Sequence, residues 1–407
     1  MAKDKPTSIR VRMYRVGFGD CFLVTFPAPS GPEHVLVDCG VHERGDVGTI
    51  QKAVENIAEV TDRKLALVIA THAHQDHVSG FGKFAAQFRK FRIGEVWMPW
   101  TEDRQNPKAV KLKQKHRAAI ARLQMYFASL PPSAEQRAGD VLQAINNLAG
   151  NEPALEQLHA GFGVGAKVRF WKAGSFASAP GDIIGLDARI LGPPDDPDFL
   201  ARMDPPPSQH YLTAKTGDGA QAPPPFAAKW IQEGAFPEYP LSKGELASIQ
   251  KYAEEPPDAL AFALDQAINN TSLVALFSFG GKYLLFPGDA QYGNWQYWLQ
   301  GQDSNRILSE IDFLKVSHHG SLNATPKQAI DNMGGASLAA MVSTQNKPWP
   351  SIPRLPLLEA IRKRTRNRMV RSDSLQLKEP APKGPAIDRM PAGFTQGDMW
   401  FDYSIPI

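Results

Sequence analysis

Three histidines and an aspartate crowd into one heptad, Thr71-His72-Ala73-His74-Gln75-Asp76-His77. Residues 65–70, Leu-Ala-Leu-Val-Ile-Ala, run straight into it. An apolar run that short reads as a buried strand rather than a helix. Gly80 and Gly82 follow and permit a sharp turn before a helix-like stretch. The chain must therefore end a buried strand at an open edge, where α/β sheets place their ligands. In an extended segment residues i and i+2 share a face, so His72 and His74 can reach one cation. Once the chain turns, Asp76 and His77 can reach a second. Imidazole suits zinc, iron or manganese, and carboxylate admits harder cations. A polar loop with incidental histidines is the alternative, and the spacing after a buried strand argues against it.

The remaining composition limits the class of protein. At 407 residues, 43% hydrophobic and 21% charged, the chain reads as soluble and globular. A net charge of +3 is too small to imply a polyanion partner by itself. No apolar stretch reaches the roughly 18 residues of a membrane span, and the start lacks a signal-type segment, so a cytoplasmic location without membrane contact is expected. Cys21 and Cys39 fall in strand-like segments. Reduced, buried thiols are expected of a cytosolic protein, with a disulfide as the alternative. The 34 prolines cluster in a few segments, which predicts ordered elements separated by irregular insertions.

Taken in order, residues 8–16 alternate, with Ile9, Val11 and Met13 on one face and Arg10, Arg12 and Tyr14 on the other. That is a half-buried strand. Residues 21–26 and 34–40 continue it as an antiparallel meander. Asp20 and Asp38 stand beside glycines at strand ends. Residues 50–60 carry a helical apolar face. Strands are expected over 93–99, 166–171, 186–191, 273–279, 282–286, 311–316, 339–344 and 397–405. Helices are expected over 104–158, 295–307 and 356–371. The last of these carries Arg362, Lys363, Arg364, Arg366 and Arg368, either a solvated surface or a nucleic-acid contact. Asp289 ends one late strand and the pair His318-His319 ends another.

The heptad resembles the signature of the metallo-β-lactamase-fold hydrolases. Residues 16–21, 36–40, 269–272, 288–290 and 314–321 look most like the ComEC-like branch, which includes the hydrolase domain attached to bacterial DNA-uptake proteins. The resemblance covers roughly 1–100, 185–192 and 268–345. It implies an α+β fold, an αββα sandwich of two mixed β-sheets packed face to face with helices outside. One hydrolase domain would span 1–407, with a helical insertion over 104–165, a Pro-rich insertion or lid over 192–265, and a basic helix and terminal strand over 351–407.

The resemblance also implies a ligand set. His72 and His74 would hold metal 1, Asp76, His77 and His318 metal 2, and Asp289 would bridge. His318 is preferred because it comes first after its strand. His319 is then left as a catalytic group for a leaving group or anion, with Asp76 orienting or deprotonating the nucleophile. Asp20 and Asp38 would support ligands from behind, and Asn269, Asn270 and Ser321 would support them or face substrate. Most members carry a metal-1 histidine where this chain has Asn269-Asn270. Of two divalent ions, zinc first and manganese second, metal 1 is therefore expected weak or empty. His159 and His210 are the substitutes in reach of sequence reasoning.

A metal-activated water then hydrolyses phosphodiesters, which makes a nuclease or phosphodiesterase the leading expectation and nucleic acid or a small phosphodiester the partner. A hydrolase of small esters, lactones or amides is the alternative. A non-catalytic binding protein that keeps the fold is the third reading, and the full heptad argues against it. The substrate, any protein partner and the oligomeric state are not written in the sequence.

Overall fold

A computed structural model describes residues 8–128, 147, 150–209, 264–335, 337–345, 349, 351–374 and 390–407. Much of the expected helical insertion and most of the Pro-rich segment, His210 included, lie outside the described residues.

Seventeen strands are described: β1 (Ser8–Tyr14), β2 (Gly17–Phe18), β3 (Cys21–Phe26), β4 (Glu33–Cys39), β5 (Glu43–Arg44), β6 (Lys64–Ile69), β7 (Arg92–Pro99), β8 (Lys167–Trp171), β9 (Phe176–Ser178), β10 (Leu186–Gly192), β11 (Val274–Phe279), β12 (Lys282–Phe286), β13 (Phe313–Lys315), β14 (Ala339–Val342), β15 (Met369–Arg371), β16 (Phe394–Gln396) and β17 (Trp400–Pro406). They build an eight-stranded sheet, ordered β16-β17-β1-β3-β4-β6-β7-β8, and a seven-stranded sheet, ordered β15-β14-β13-β12-β11-β10-β9. β2 and β5 pair as a small ribbon.

Each large sheet is mixed. β1, β3 and β4 form the expected antiparallel meander, and β4, β6, β7 and β8 then run parallel. In the second sheet β12, β13, β14 and β15 are parallel. The inner faces meet in one core. Val11, Phe22, Phe26, Val37 and Ile69 of the first sheet pack with Ile190, Phe277, Phe286, Phe313 and Met341 of the second. Phe22 meets Phe286 edge-on at 6.0 Å, and Phe26 meets Phe277 at 6.2 Å. Truncating such a ring to alanine costs about 3–5 kcal/mol.

Helices cover both outer faces. Helix α1 (Ile50–Val60) buries Ile50, Ala53, Val54 and Ile57, the i, i+3, i+4, i+7 stripe that a core-facing helix requires. With helix α2 (Gln75–Lys83) it packs on Leu23, Leu36 and Val68. The helices Tyr292–Leu299, Ser304–Glu310, Lys327–Asn332 and Leu355–Arg364 cover the second sheet through Trp295, Leu308, Ile330 and Leu358. The result is the four-layer αββα arrangement.

Several boundaries differ from the sequence reading, and Gly80 and Gly82, expected to turn the chain before a helix, lie inside α2. The basic helix stops at Arg364, and Met369–Arg371 is the edge strand β15. Arg366 and Asn367 adopt φ of 51° and 65°, a left-handed turn that ends a helix. The expected helix over 295–307 is two helices broken around residues 300–303. Cys21 and Cys39 face each other across β3 and β4 as free, buried thiols. No described helix is long and apolar enough to cross a membrane.

Candidate metal centre

The parallel strands β4, β6, β12, β13 and β14 all aim their carboxyl ends at one crevice between the sheets. Asp38 sits at the end of β4, the heptad follows β6, Asp289 follows β12, and His318 and His319 follow β13. His74 caps α2, so Asp76 lies in that helix's first turn, where the helix dipole favours a carboxylate. Two glycines allow the loops to close. A Cβ on Gly40 would sit 2.3 Å from the Asp76 carbonyl carbon, and one on Gly288 (φ +55°) would sit 2.7 Å from Thr71 Cβ. The Leu273 amide donates to Thr71 O at 2.8 Å and ties the two halves together.

Four side chains converge. Donor atoms of Asp76, His77, Asp289 and His319 all lie within 4.8 Å of one another, and all four residues are buried. His319 Nε2 is 2.9 Å from Asp76 Oδ2 and 3.3 Å from Asp289 Oδ2. His77 Nε2 is 3.1 Å from Asp289 Oδ2 yet makes no hydrogen bond there, and Asp76 Oδ1 is likewise without one. Buried polar atoms normally find partners. Donors that crowd together without pairing fit a shared cation, and the His and Asp set suits zinc or manganese.

The expected roles of the histidine pair are reversed in placement. His319, not His318, joins the cluster. The reading assumed that side chains simply diverge after a strand, but the backbone leaves β13 through two consecutive left-handed residues, His318 (φ 44°) and His319 (φ 52°). That turn swings the His319 ring inward, with Nδ1 2.7 Å from Ser343 O. The His318 ring faces outward, 2.7 Å from Ser321 Oγ, 3.3 Å from Asn323 Oδ1 and 3.3 Å from Asn269 Nδ2. Only the His318 amide reaches the cluster, donating to Asp289 Oδ1 at 3.1 Å.

His72 Nε2 and His74 Nδ1 lie 3.0 Å apart. Among the described residues, no third His, Cys, Asp or Glu joins them in an equally close group. Behind them Asp265 Oδ1 stands 3.6 Å from His74 Nε2, and both atoms lack hydrogen bonds. His159 is elsewhere, with its ring against Phe170.

Asp38 and Asp20 stand behind the cluster. Asp38 accepts from the Thr71 amide at 2.7 Å and the Thr71 hydroxyl at 2.8 Å, and its Oδ2 is 2.7 Å from His77 Nδ1. Such a carboxylate fixes the ring and its tautomer. Asp20 pairs with buried Lys315 and lies 3.7 Å from both His77 Nδ1 and His319 Nδ1. Lys315 also donates to Asp289 Oδ1 at 3.0 Å and to Gly288 O at 2.9 Å. Lys315 and the His318 amide thus occupy Asp289 Oδ1 and leave Oδ2 turned toward His77 and His319.

Electrostatics follow from this packing. Burial disfavours charge on His77, but Asp289, Asp38, Asp76 and Asp20 outweigh it and lift its pKa well above the usual imidazole value. Burial likewise opposes a charged His319, and Asp289 and Asp76 override it, raising the group to about 10. Asp289 resists its own burial because His77, Lys315 and His319 hold it well below the carboxylate range. Asp76 is held low by His77 and His319 against the same burial. Burial, reinforced by Asp76, pushes Asp265 up to about 8.

Of the other expected residues, Asn269 and Ser321 line the crevice with Asp76, Asp289 and His318. Asn270 does not. Its amide is fully engaged with the carbonyls of Phe199, Leu200 and Arg202 and with the Asn294 amide, so it braces a loop rather than facing substrate. None of Arg362, Lys363, Arg364, Arg366 and Arg368 lines the crevice. Arg362 pairs with Glu359 at 2.9 Å, Arg364 lies 3.6 Å from Asp331, and Arg368 donates to Leu338 O. Sequence reasoning missed Lys315, Asp265 and Arg354. A lysine closing the apolar strand Phe313–Lys315 was a readable signal, because lysine is almost never buried unpaired. Nothing marked Asp265 or Arg354.

A family description reading "Metallo-beta-lactamase superfamily" matches residues 14–215. The match places the amino-terminal part of the chain, residues 14–215, with the metallo-β-lactamase superfamily. The chain's fold is the metallo-β-lactamase fold, and the superfamily is one of metal-dependent hydrolases that bind divalent ions. The match ends before Asp289 and His319, which the structure brings beside Asp76 and His77. No curated protein matches the chain. A solved structure described as Igni18, a novel metallo hydrolase from the hyperthermophilic archaeon Ignicoccus hospitalis KIN4/I, is similar with a TM-score of 0.38 and 11% identity, over 89% of this chain and 94% of that one.

Proposed function

We propose that the chain is a metal-dependent phosphodiesterase of the ComEC-like kind, acting in the cytoplasm on a small phosphodiester. The observation that carries this is the buried Asp76–His77–Asp289–His319 cluster opening into a cavity of about 340 Å³. A divalent cation in that cluster supplies Lewis acidity, which makes water nucleophilic near neutral pH and offsets charge on a substrate oxygen. Metal 1, at His72 and His74, is weaker for want of a third close ligand.

The chain's own residues do the rest. Asp38 orients the His77 ring and the Ser343 carbonyl the His319 ring. Lys315 fixes Asp289. Asp76 Oδ1, free of hydrogen bonds, can accept a proton from a water in the cavity. Asn269, His318, Ser321 and Asn323 form a polar wall suited to an oxygen-rich substrate. The basic residues at the end of the last helix do not line the cavity, which favours a small phosphodiester over a polymer.

The second reading is hydrolysis of small esters, lactones or amides. Phe18, Leu322 and Ile352 in the same lining favour it, since small-molecule pockets are mostly apolar. Zinc- or manganese-loaded protein should cleave bis-p-nitrophenyl phosphate, and Asp289→Asn should abolish that cleavage. Cleavage of p-nitrophenyl acetate alone would select the second reading.

A further inference from the structure

Apart from histidines, the cavity holds one cationic side chain among the described residues, Arg354. It shares the walls with Asp76, Asp204, Asp265 and Asp289, yet none of them, nor any other described carboxylate, lies within ion-pair distance of it. Its Nε is buried and makes no hydrogen bond. A guanidinium beside several carboxylates would ordinarily pair with one. The Arg354 amide donates to Gly320 O at 2.8 Å, which ties it to the residue that follows His319. Next to it, Trp349 lines the same cavity. One face of its indole is stacked on His42, with centroids 5.2 Å apart and planes within 16°. Phe18 meets it edge-on at 4.8 Å. The ring is held between two neighbours, as a platform for a planar group must be.

We infer that Arg354 and Trp349 form the substrate-recognition subsite of this cavity: Arg354 takes a phosphate group and Trp349 stacks on an aromatic ester group, so the substrate is a nucleoside-type phosphodiester. The inference rests on the phosphodiesterase reading for its chemistry but stands on these residues for its geometry. A planar five-donor fork is the side chain best matched to phosphate oxygens. Base stacking on an aromatic ring tolerates any base, so selectivity falls on the class rather than on one nucleobase.

The test uses the full chain loaded with manganese and three probes in calorimetry: AMP, ribose 5-phosphate and adenosine. The wild type should bind AMP about tenfold or more tighter than either fragment, within the range that stacking and charge-assisted contacts supply. Arg354→Gln should bring AMP down to the affinity of adenosine with metal content unchanged. Arg354→Lys, which keeps the charge without the fork, should recover part of the difference. Trp349→Ala should make AMP no tighter than ribose 5-phosphate. Wild-type affinity for AMP equal to that for ribose 5-phosphate, or AMP binding unchanged in Arg354→Gln, overturns the subsite. Turnover of bis-p-nitrophenyl phosphate is read separately. AMP discrimination without turnover refutes the proposed reaction and keeps the subsite, and turnover without discrimination does the reverse.

Discussion

Replacing each member of the His318-His319 pair by alanine separates a cluster ligand from its neighbour. His319 Nε2 lies 2.9 Å from Asp76 Oδ2 and 3.3 Å from Asp289 Oδ2, so its loss removes one donor of four. Four-ligand zinc sites bind with about 10–16 kcal/mol, or roughly 3 kcal/mol per ligand, which predicts a loss of metal affinity of about 10²-fold for His319→Ala. The His318 ring touches Ser321, Asn323 and Asn269 instead, and its contribution to Asp289 is a backbone amide that alanine retains. His318→Ala should therefore hold metal to within a few-fold. The assay is metal content by mass spectrometry after dialysis, followed by competition against a chelator of known affinity. The reasoning fails if His318→Ala empties the cluster while His319→Ala keeps it.

Lys315→Met leaves Asp20 and Asp289 without their buried cation, and breaking a buried pair costs about 3–5 kcal/mol, read as a lowered urea midpoint that added metal partly restores. Chelating the metal from the wild type should lower Tm, because a ligand that binds only the folded chain stabilises it, and Asp289→Asn should show little such shift. His34 is pushed down to about 4 by burial, with Arg10 adding to it. Its folded value lies below its unfolded one, so the unfolded chain binds more protons between about pH 4 and 6.5. The His34 contribution to stability should accordingly fall by about 3 kcal/mol as pH drops through that window and change no further below it. His34→Gln should flatten this part of the profile, and an unchanged slope would refute the assignment.

The sandwich was legible because its strands carry their burial in their periods. The alternation of Ile9, Val11 and Met13 and the continuous run over 65–70 each determine which face meets the core. The heptad was legible because strand-end geometry allows only a few ways to place residues two apart. What escaped was set by backbone torsion and by contacts between distant segments. No local pattern announces that His318 and His319 both turn left-handed, so strand-end divergence singled out His318, whose ring the turn leaves outside the cluster. Asp265 approaches His74 across 191 positions of sequence, and Arg354 lines the cavity from a segment whose backbone meets Gly320, 34 positions earlier. The basic residues 362–368 looked like a binding face because charge is visible in sequence while Glu359 and Asp331, which neutralise part of it, are visible only in space.

The left-handed pair itself makes a quantitative claim. A non-glycine residue in that region costs roughly 1–2 kcal/mol, and such strain persists only where the surroundings over-determine it. Here the gain is double, since one turn directs the His319 ring to Asp76 and Asp289 and sets the His318 amide on Asp289 Oδ1. If the strain is real, position 318 should prefer glycine over alanine once the ring's own contacts are removed from both. His318→Gly should be about 1 kcal/mol more stable than His318→Ala, because alanine keeps the Cβ penalty at φ 44° whereas glycine does not. Paired urea titrations of the metal-loaded variants measure the difference, with metal content equal in both. If alanine proves as stable as glycine, the turn is unstrained, and the inward swing of His319 needs another cause.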